Sequence, residues 1–212
     1  MGSVSTVAAV CSLGALGLAV CLVVVLHFVE PEFDPSQRML SEYSLGRYGG
    51  LMRVAFIAGG TSVIAVAVAL WGSAWPWSLG LVLVAIGPLG AAFVDTDPIT
   101  TPPAEITRRG NVHAALGSLF ILGFPVAATV AGISSAGDAT MGPVLAWASV
   151  VPWIALAWFL GILGTTLRHA RPDGRGAPEG RGAPDVPIGW PNRVSMLVYL
   201  GWAALAAILV LR

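Results

Sequence analysis

Lysine is absent from this chain; all eleven basic residues are arginine. A retinal or pyridoxal Schiff base and a phosphate-gripping P-loop each need a lysine amine, so those chemistries are excluded. Charge of either sign is scarce. Eleven Arg balance eleven Asp and Glu, 10% of 212 residues, for a net charge of +0. A soluble domain of this length covers its surface with far more charge, and no basic surplus points to nucleic acid. Histidine is limited to His27, His113 and His169, in different segments, whereas a hydrolytic zinc site normally takes three protein ligands. No cofactor is implied. A divalent metal held by one His with carboxylates, or a haem between His27 and His113, stays open without positive support from spacing. The two cysteines, Cys11 and Cys21, are separated by ten residues of expected helix, about 15 Å. That is beyond disulfide reach, so both read as small packing residues. Strand-length alternation of polarity, the mark of a membrane barrel, is missing as well.

What is abundant is apolar: 56% of residues, with a mean hydropathy of +0.82, arranged in long runs and not in a 3.6-residue stripe. Runs near 20 residues match a hydrocarbon core about 30 Å thick at about 1.5 Å rise per residue. Inside that core every backbone polar group must be paired within its own segment, so the runs should be helices. The expected fold is an all-α polytopic bundle of six transmembrane helices, at 6–28, 51–71, 77–94, 112–133, 143–167 and 194–211. The first run lacks a basic n-region and is long enough to span, so it reads as a retained helix and not a cleaved signal. Trp71, Trp75 and Trp77 bracket a very short turn and read as interfacial anchors. Pro88, Pro125 and Pro152 lie inside spans three, four and five and should kink them. Gly59 with Gly60, Gly87 with Gly90, and Gly161 with Gly164 permit close helix approach.

The loops alternate. The second and fourth are short; the first, third and fifth are long and carry nearly all the charge, and ten of the eleven Arg lie on their side, leaving only Arg212 on the other. The positive-inside rule puts those long loops in the cytoplasm and both termini outside. Heavy Ala, Gly, Val and Arg usage suggests a GC-rich bacterial genome and hence a bacterial cytoplasmic membrane. The fifth loop, 168–192, holds the near repeat Gly174-Arg-Gly-Ala-Pro-Glu179 and Gly180-Arg-Gly-Ala-Pro-Asp185. Such composition builds no core and reads as a mobile tether.

In the first loop, Asp34 before Pro35 with Gln37 three residues on predicts a helix start, and Gly46 a stop. Met39, Leu40 and Tyr43 would form an apolar face on the membrane or plugging the bundle. Asp34, Arg38 and Glu42 would share another face, either a solvated ion-pair stripe or groups aimed into the bundle mouth. In the third loop, Asp95 and Asp97 sit at the membrane boundary. A second short helix is expected from Thr101 to Gly110, with Asn111 capping span four. His113 then lies about one turn inside, facing the bundle or simply hydrogen-bonded at the interface.

The stretch Arg38-Met-Leu-Ser-Glu-Tyr-Ser-Leu-Gly46, then Gly49-Gly50-Leu-Met, Ala55-Phe56 and Gly59-Gly60, with the later Asp95 and Gly110-Asn-Val-His113, resembles the bacterial and archaeal membrane family known as domain of unknown function 998. The resemblance covers all six spans but not the fifth-loop repeat. It implies no activity; it marks Ser41, Glu42, Asp95, Gly110 and His113 as positions of interest.

Three functions fit. The first is an intramembrane enzyme acting on a lipid-like or isoprenoid substrate. Glu42, Asp95 and His113 would be its acid–base groups, since carboxylates in a partly apolar cavity hold their protons and act as acids. Arg38, Tyr43, Asp97 and Asn111 from the loops, with Trp153, Trp158 and Trp202, would contact the substrate. Tryptophan faces stabilise a developing cation, as proton-initiated terpene cyclisation or isomerisation needs. The second is a small-molecule transporter, against which no span centre carries an acidic or basic residue. The third is a non-catalytic protein that binds membrane lipid or another hydrophobic small molecule, or assists assembly. The enzyme reading requires the three groups to converge on one cavity reachable from the bilayer.

Overall fold

The computed structural model describes residues 2–169 and 187–212; the fifth-loop repeat, with Arg171, Arg175 and Arg181, lies outside them. Every regular element among the described residues is helical: α1 Ser3–Val29, a 3₁₀ helix Leu40–Leu45, α2 Gly49–Ala69, a single turn α3 Trp71–Ala74, α4 Leu79–Ala91, α5 Arg108–Ser134, α6 Met141–Ala148, α7 Val150–His169 and α8 Gly189–Val210, with a further 3₁₀ turn at Ser135–Gly137. Five stretches are long and apolar enough to cross a membrane: α1, α2, α5 with its trailing turn, α6 with α7, and α8; α4 is a shorter apolar helix. With hydrocarbon-length segments and almost no charge, burial inside protein and exposure to lipid are both open to these faces. The helices divide on that choice: 22% of the apolar stretch of α1 is buried against 50% of that of α8. Thus α8 is central and α1 peripheral.

The main core joins α2, α4, α5 and α8 through small and aromatic residues: Ala67, Ala85, Ala128, Phe124, Tyr199, Trp202 and Ala206 are all buried. Phe124 and Tyr199 stack at 4.8 Å and 10°, an arrangement aromatic rings favour when offset. Pro125 explains the polar end of this pair. Its missing N–H would have bonded the Ile121 carbonyl four residues back. The Tyr199 hydroxyl donates to that carbonyl at 2.9 Å instead, so the break in one helix becomes a tie to another. Pro152 acts differently: the helix is interrupted at Ser149, between α6 and α7. The Ser149 hydroxyl is shared between the Leu145 and Ala128 carbonyls at 2.7 and 3.1 Å, and Trp202 Nε1 donates to Ser149 Oγ at 3.0 Å. Between α1 and α2, the Ser12 hydroxyl meets the Ser62 carbonyl and hydroxyl, each at 3.0 Å, the kind of interhelical bond worth about 0.6–2 kcal/mol in hydrocarbon.

Two sequence expectations about the loops need correction. No helix runs from Thr101 to Gly110. Pro98, Pro102 and Pro103 break the chain into separate turns, closed by Thr101 N–H to Pro98 O and Glu105 N–H to Pro102 O. Asp97 then accepts both the backbone N–H and the hydroxyl of Thr107, at 2.7 and 3.1 Å. Thr107, not Asn111, caps α5, accepting Gly110 N–H at 2.9 Å. Gly110 begins a helix and does not end one: a Cβ there would lie 2.0 Å from Asp97 Oδ2. The first loop is likewise not one helix from Asp34. The Asp34 carboxylate accepts the N–H and hydroxyl of Ser36 at 2.8 and 2.7 Å. These bonds close a local turn and hold its carboxyl below the usual carboxylate range. The helical segment starts only after Met39, and Gly46 stops it as expected.

The glycine pairs also sort themselves. A Cβ on Gly87 would stand 2.5 Å from the Leu116 carbonyl oxygen and 2.9 Å from Phe120 Cβ, whereas Gly59, Gly161 and Gly164 have nothing within 4 Å. Gly87→Ala is therefore expected to force α4 from α5 and cost about 1–3 kcal/mol. Gly161→Ala should stay within about 0.5 kcal/mol of the parent. Thermal unfolding of both variants in the same detergent checks this contrast.

Candidate functional site: a capped apolar cavity

Arg193 stands in the second turn of α8 and is 4% exposed. Burying a cation this thoroughly is costly unless its donors are met. Here they are met mostly by the first loop. Nη1 donates to Pro35 O, Arg38 O and Gly189 O at 3.0, 2.6 and 3.2 Å. Nη2 donates to the Tyr43 hydroxyl at 3.3 Å, and the guanidinium carbon lies 5.6 Å from the Tyr43 ring centre. Nε donates to His27 Nε2 at 2.8 Å. Because His27 Nδ1 meets the Val23 carbonyl at 2.7 Å, and a carbonyl only accepts, the His27 proton sits on Nδ1 and Nε2 is free to accept. The carbonyls that a helix from Asp34 would have used internally are thus drawn out to Arg193, which is why the loop turns there.

Further bonds close the cap. Gly189 N–H donates to Ser36 O at 3.0 Å and Leu40 N–H to Asn192 Oδ1 at 3.0 Å. A side chain at Gly189 has no room, since a Cβ would lie 2.2 Å from Pro35 O. Tyr43 and Leu40 are buried with Leu26, Met52 and Ala55, so the apolar face expected of Met39, Leu40 and Tyr43 plugs the bundle. Glu42, 1% exposed, braces the cap from within. It accepts Arg38 Nη1 at 2.7 Å on one oxygen and Met39 N–H at 3.0 Å on the other. Glu30, also 1% exposed, accepts Tyr48 N–H on Oε1, while its Oε2 has no hydrogen-bond partner.

Beneath the cap lies a cavity of about 380 Å³, within the range of roughly 300–1,000 Å³ typical of small-molecule sites. Its wall is drawn from α1 (Ala19 to Phe28), α2 (Met52, Ala55, Phe56, Gly59), Pro88, Phe120, Leu40 of the cap and α8 (Trp190 to Leu200). Arg193 is the only charged residue on that wall, and it stands beside His27. The wall residues most open to the surroundings are Val24 and Phe28 of α1 and Trp190 and Leu197 of α8. The mouth therefore opens sideways between α1 and α8. These helices run antiparallel. Ala8 and Ala9 join the same buried cluster as Leu209 and Val210, and His27 meets Arg193 at the opposite end.

The structure does not bring Glu42, Asp95 and His113 together on this wall. Asp95 lies at the surface, in ion pairs with Arg53 at 2.6 Å and Arg109 at 3.5 Å. His113 is buried in α5, with Nδ1 2.7 Å from the Val94 carbonyl. It stands one ring behind the cavity: Phe56, a wall residue, lies 6.0 Å from its imidazole. Arg38 pairs with Glu42, Asp97 holds Thr107, and Asn111 is exposed on α5. Tyr43 is the member of the expected substrate-binding set nearest the cavity, through Arg193 and its ring contact with His27 at 5.2 Å. Trp202 is packed in the main core, and Trp153 and Trp158 are 44% and 45% exposed on the outer side of α7. The tryptophan on the wall is Trp190. Among the described residues, no three His, Cys, Asp or Glu side chains gather as metal ligands.

Glu30, Asn192 and Arg193 were not singled out from sequence, and His27 entered there only as a conceivable haem ligand with His113. One signal was there: Arg193 directly precedes an uninterrupted apolar run, 194–211, and an ionisable residue at such a boundary faces protein more often than lipid. Counting it among the topology-setting arginines hid it.

The protein is thus a helical membrane protein with a capped, laterally open cavity. The family described as "Protein of unknown function (DUF998)" matches residues 13–209, and the chain belongs to that family. No curated protein and no solved structure matches it.

The geometry makes Arg193 the clamp of the cap. Arg193→Met is expected to lose at least ~2 kcal/mol, because it removes the side-chain donor to the Pro35, Arg38 and Gly189 carbonyls and to Tyr43. Arg193→Lys should recover only part of this, lacking the planar fork. In limited trypsin digestion, Arg193→Met should be cut at Arg38 and Arg47 well before the parent. Equal digestion of the two proteins would refute the clamp.

Proposed function

We propose that this protein binds a lipid-like or isoprenoid molecule in the capped cavity, taking it directly from the bilayer. The observation that carries this reading is the lateral mouth between α1 and α8. A wall that is apolar almost throughout, opened toward lipid and closed toward water by a folded loop, suits a hydrophobic guest. Among its lining residues only His27 and Arg193 carry a titratable group, unlike the polar, hydrated path a transporter needs. In this reading the chain crosses the membrane six times, with α4 and its flanking turns as the third crossing, in a bacterial cytoplasmic membrane. The arginine-rich loops face the cytoplasm and both termini lie outside. The arginine distribution supports that orientation: Arg38, Arg47, Arg53, Arg108, Arg109 and Arg193 flank the capped end, and Arg212 the other.

Acid–base catalysis by Glu42, Asp95 and His113 on the bound molecule, including proton-initiated cyclisation, is the narrower proposal. It requires the cap to move, because Glu42 is held by Arg38 and Met39 and His113 stands behind Phe56. Binding alone requires no such movement and is the reading supported best.

Mass spectrometry of small molecules extracted from gently purified protein tests it. A stoichiometric hydrophobic compound is expected; bulk phospholipid with no enriched species would overturn the proposal. Gly59 supplies a control, since it lies on the wall with open space where its Cβ would be. Gly59→Leu should fill the cavity, leave thermal stability within about 1 kcal/mol, and reduce the extracted compound at least ~5-fold. Orientation is checked separately. A cysteine at position 105 should react with a membrane-impermeant maleimide only from the cytoplasmic side, and one at position 212 only from outside. Labelling in the reverse sense would overturn the topology.

A further inference from the structure

We propose that the molecule taken by this cavity is an anionic amphiphile, with a carboxylate or phosphate head seated at Arg193 and an apolar chain lying between α1 and α8. This rests on the reading of the cavity as a lipid-binding site and adds the chemistry of the head group.

Four observations carry it. First, Arg193 is the single charged residue on the wall, so the cavity has a sign. Second, no carboxylate among the described residues lies within ion-pairing distance of it; the ion pairs found are Arg38–Glu42, Arg53–Asp95 and Arg109–Asp95. Asp34 and Glu42 act on Arg193 only through space, Glu42 while paired with Arg38 and Asp34 while accepting from the neutral Ser36. The groups that bond Arg193 directly are all neutral acceptors, so its charge has no ion-pair partner in contact among the described residues. Third, the guanidinium is not saturated. A guanidinium has five N–H groups. Nε–H goes to His27, Nη1 is shared among three carbonyls, and Nη2 makes a single long contact of 3.3 Å to Tyr43. One Nη2 hydrogen is left for a ligand, and the Tyr43 contact is weak enough to be replaced. Fourth, the polar groups stand at one end of an otherwise apolar wall that reaches down α1 to Ala19 and down α8 to Leu200. This is the shape of a site for one head and one chain.

A charge-assisted bond from a guanidinium to an anion is roughly twice as strong as one to a neutral acceptor, and low surrounding polarity strengthens it further. An alcohol or ester head of the same chain length gains neither. A cationic head is repelled.

The test uses the unmodified full chain in phosphatidylcholine nanodiscs. Trp190 on the wall reports on dibrominated chains, which quench indole fluorescence on contact. Dibromostearate, dibromostearyl alcohol and dibromostearyl amine are titrated at a pH where the first is ionised and the last protonated. Saturable quenching by dibromostearate at a concentration at least tenfold below that for the alcohol, with the amine weakest, is the expected result. A Trp190→Phe variant should lose the saturable component. Equal quenching by acid and alcohol overturns the anionic head while leaving the cavity as a lipid site. No saturable quenching by any of the three overturns the cavity reading itself. Competition by dodecyl phosphate against dibromostearate separates the two heads: stronger displacement than by dodecanoate assigns a phosphate, weaker a carboxylate. Failure of both to displace it overturns the proposal.

Discussion

A guanidinium that is out of water must find acceptors, and in this protein that demand organises the capped end. Arg193 draws Pro35 O, Arg38 O and Gly189 O toward one point, takes the lone pair of His27 and lies against Tyr43. Two stretches distant in sequence, the end of α1 with the first loop that follows it and the start of α8, meet on one side chain. Two further hydrogen bonds, Gly189 N–H to Ser36 O and Leu40 N–H to Asn192 Oδ1, and the packing of Leu40 and Tyr43 on Leu26 and Met52 add to this point of attachment. The first loop holds too few apolar residues to fold alone, and α1 is only lightly buried. Without the cation the loop loses the largest share of its side-chain hydrogen bonds to α8, and the roof of the cavity is held by fewer ties.

The core away from the cap is held by a different means. Lipid tails are as apolar as the side chains, so helices gain little by burying leucine against leucine and rely on close fit and a few hydrogen bonds. Alanine and glycine where α2, α4, α5 and α8 meet supply the fit, and Ser12 with Ser62, Ser149 with Trp202, and Tyr199 with Ile121 O supply the bonds. Proline serves this scheme. Where Pro125 removes a donor, Tyr199 uses the stranded acceptor; where Pro152 does so, the segment breaks at Ser149 and the serine becomes a junction among α5, α6 and α8.

The helical and membrane-bound character was legible from hydropathy, because a run of about 20 apolar residues satisfies one constraint and no other. So were the stop at Gly46, the shared apolar face of Leu40 and Tyr43, and the Arg38–Glu42 pair, all of which follow from local spacing; that the face plugs the bundle did not. What sequence did not yield was set by long-range partners. Thr101–Gly110 has the composition of a short helix, but Asp97 reaches ten residues on to Thr107 and decides where α5 begins. Asp34 has the form of a helix cap, but Arg193, far along the chain, takes the carbonyls a helix would have kept. The same blindness led attention to Glu42, Asp95 and His113, acids and a base in polar loops, when the wall of the cavity is built from His27, Phe56, Trp190 and Arg193. Loop polarity is visible one residue at a time; enclosure is not.

The position of the mouth has a consequence for traffic in the membrane. Phe28 and Trp190 mark its rim at the capped end, level with Arg193, while α1 and α8 close together toward Ala8 and Val210. A molecule with its polar end at the water boundary on the capped side slides in without moving that end through hydrocarbon. One in the opposite leaflet would have to carry its polar end across the bilayer first, at a cost of several kcal/mol for a charged group. If the cavity takes its guest as proposed, the architecture samples a single leaflet, and the composition of that leaflet, not of the membrane as a whole, sets the occupancy of the site.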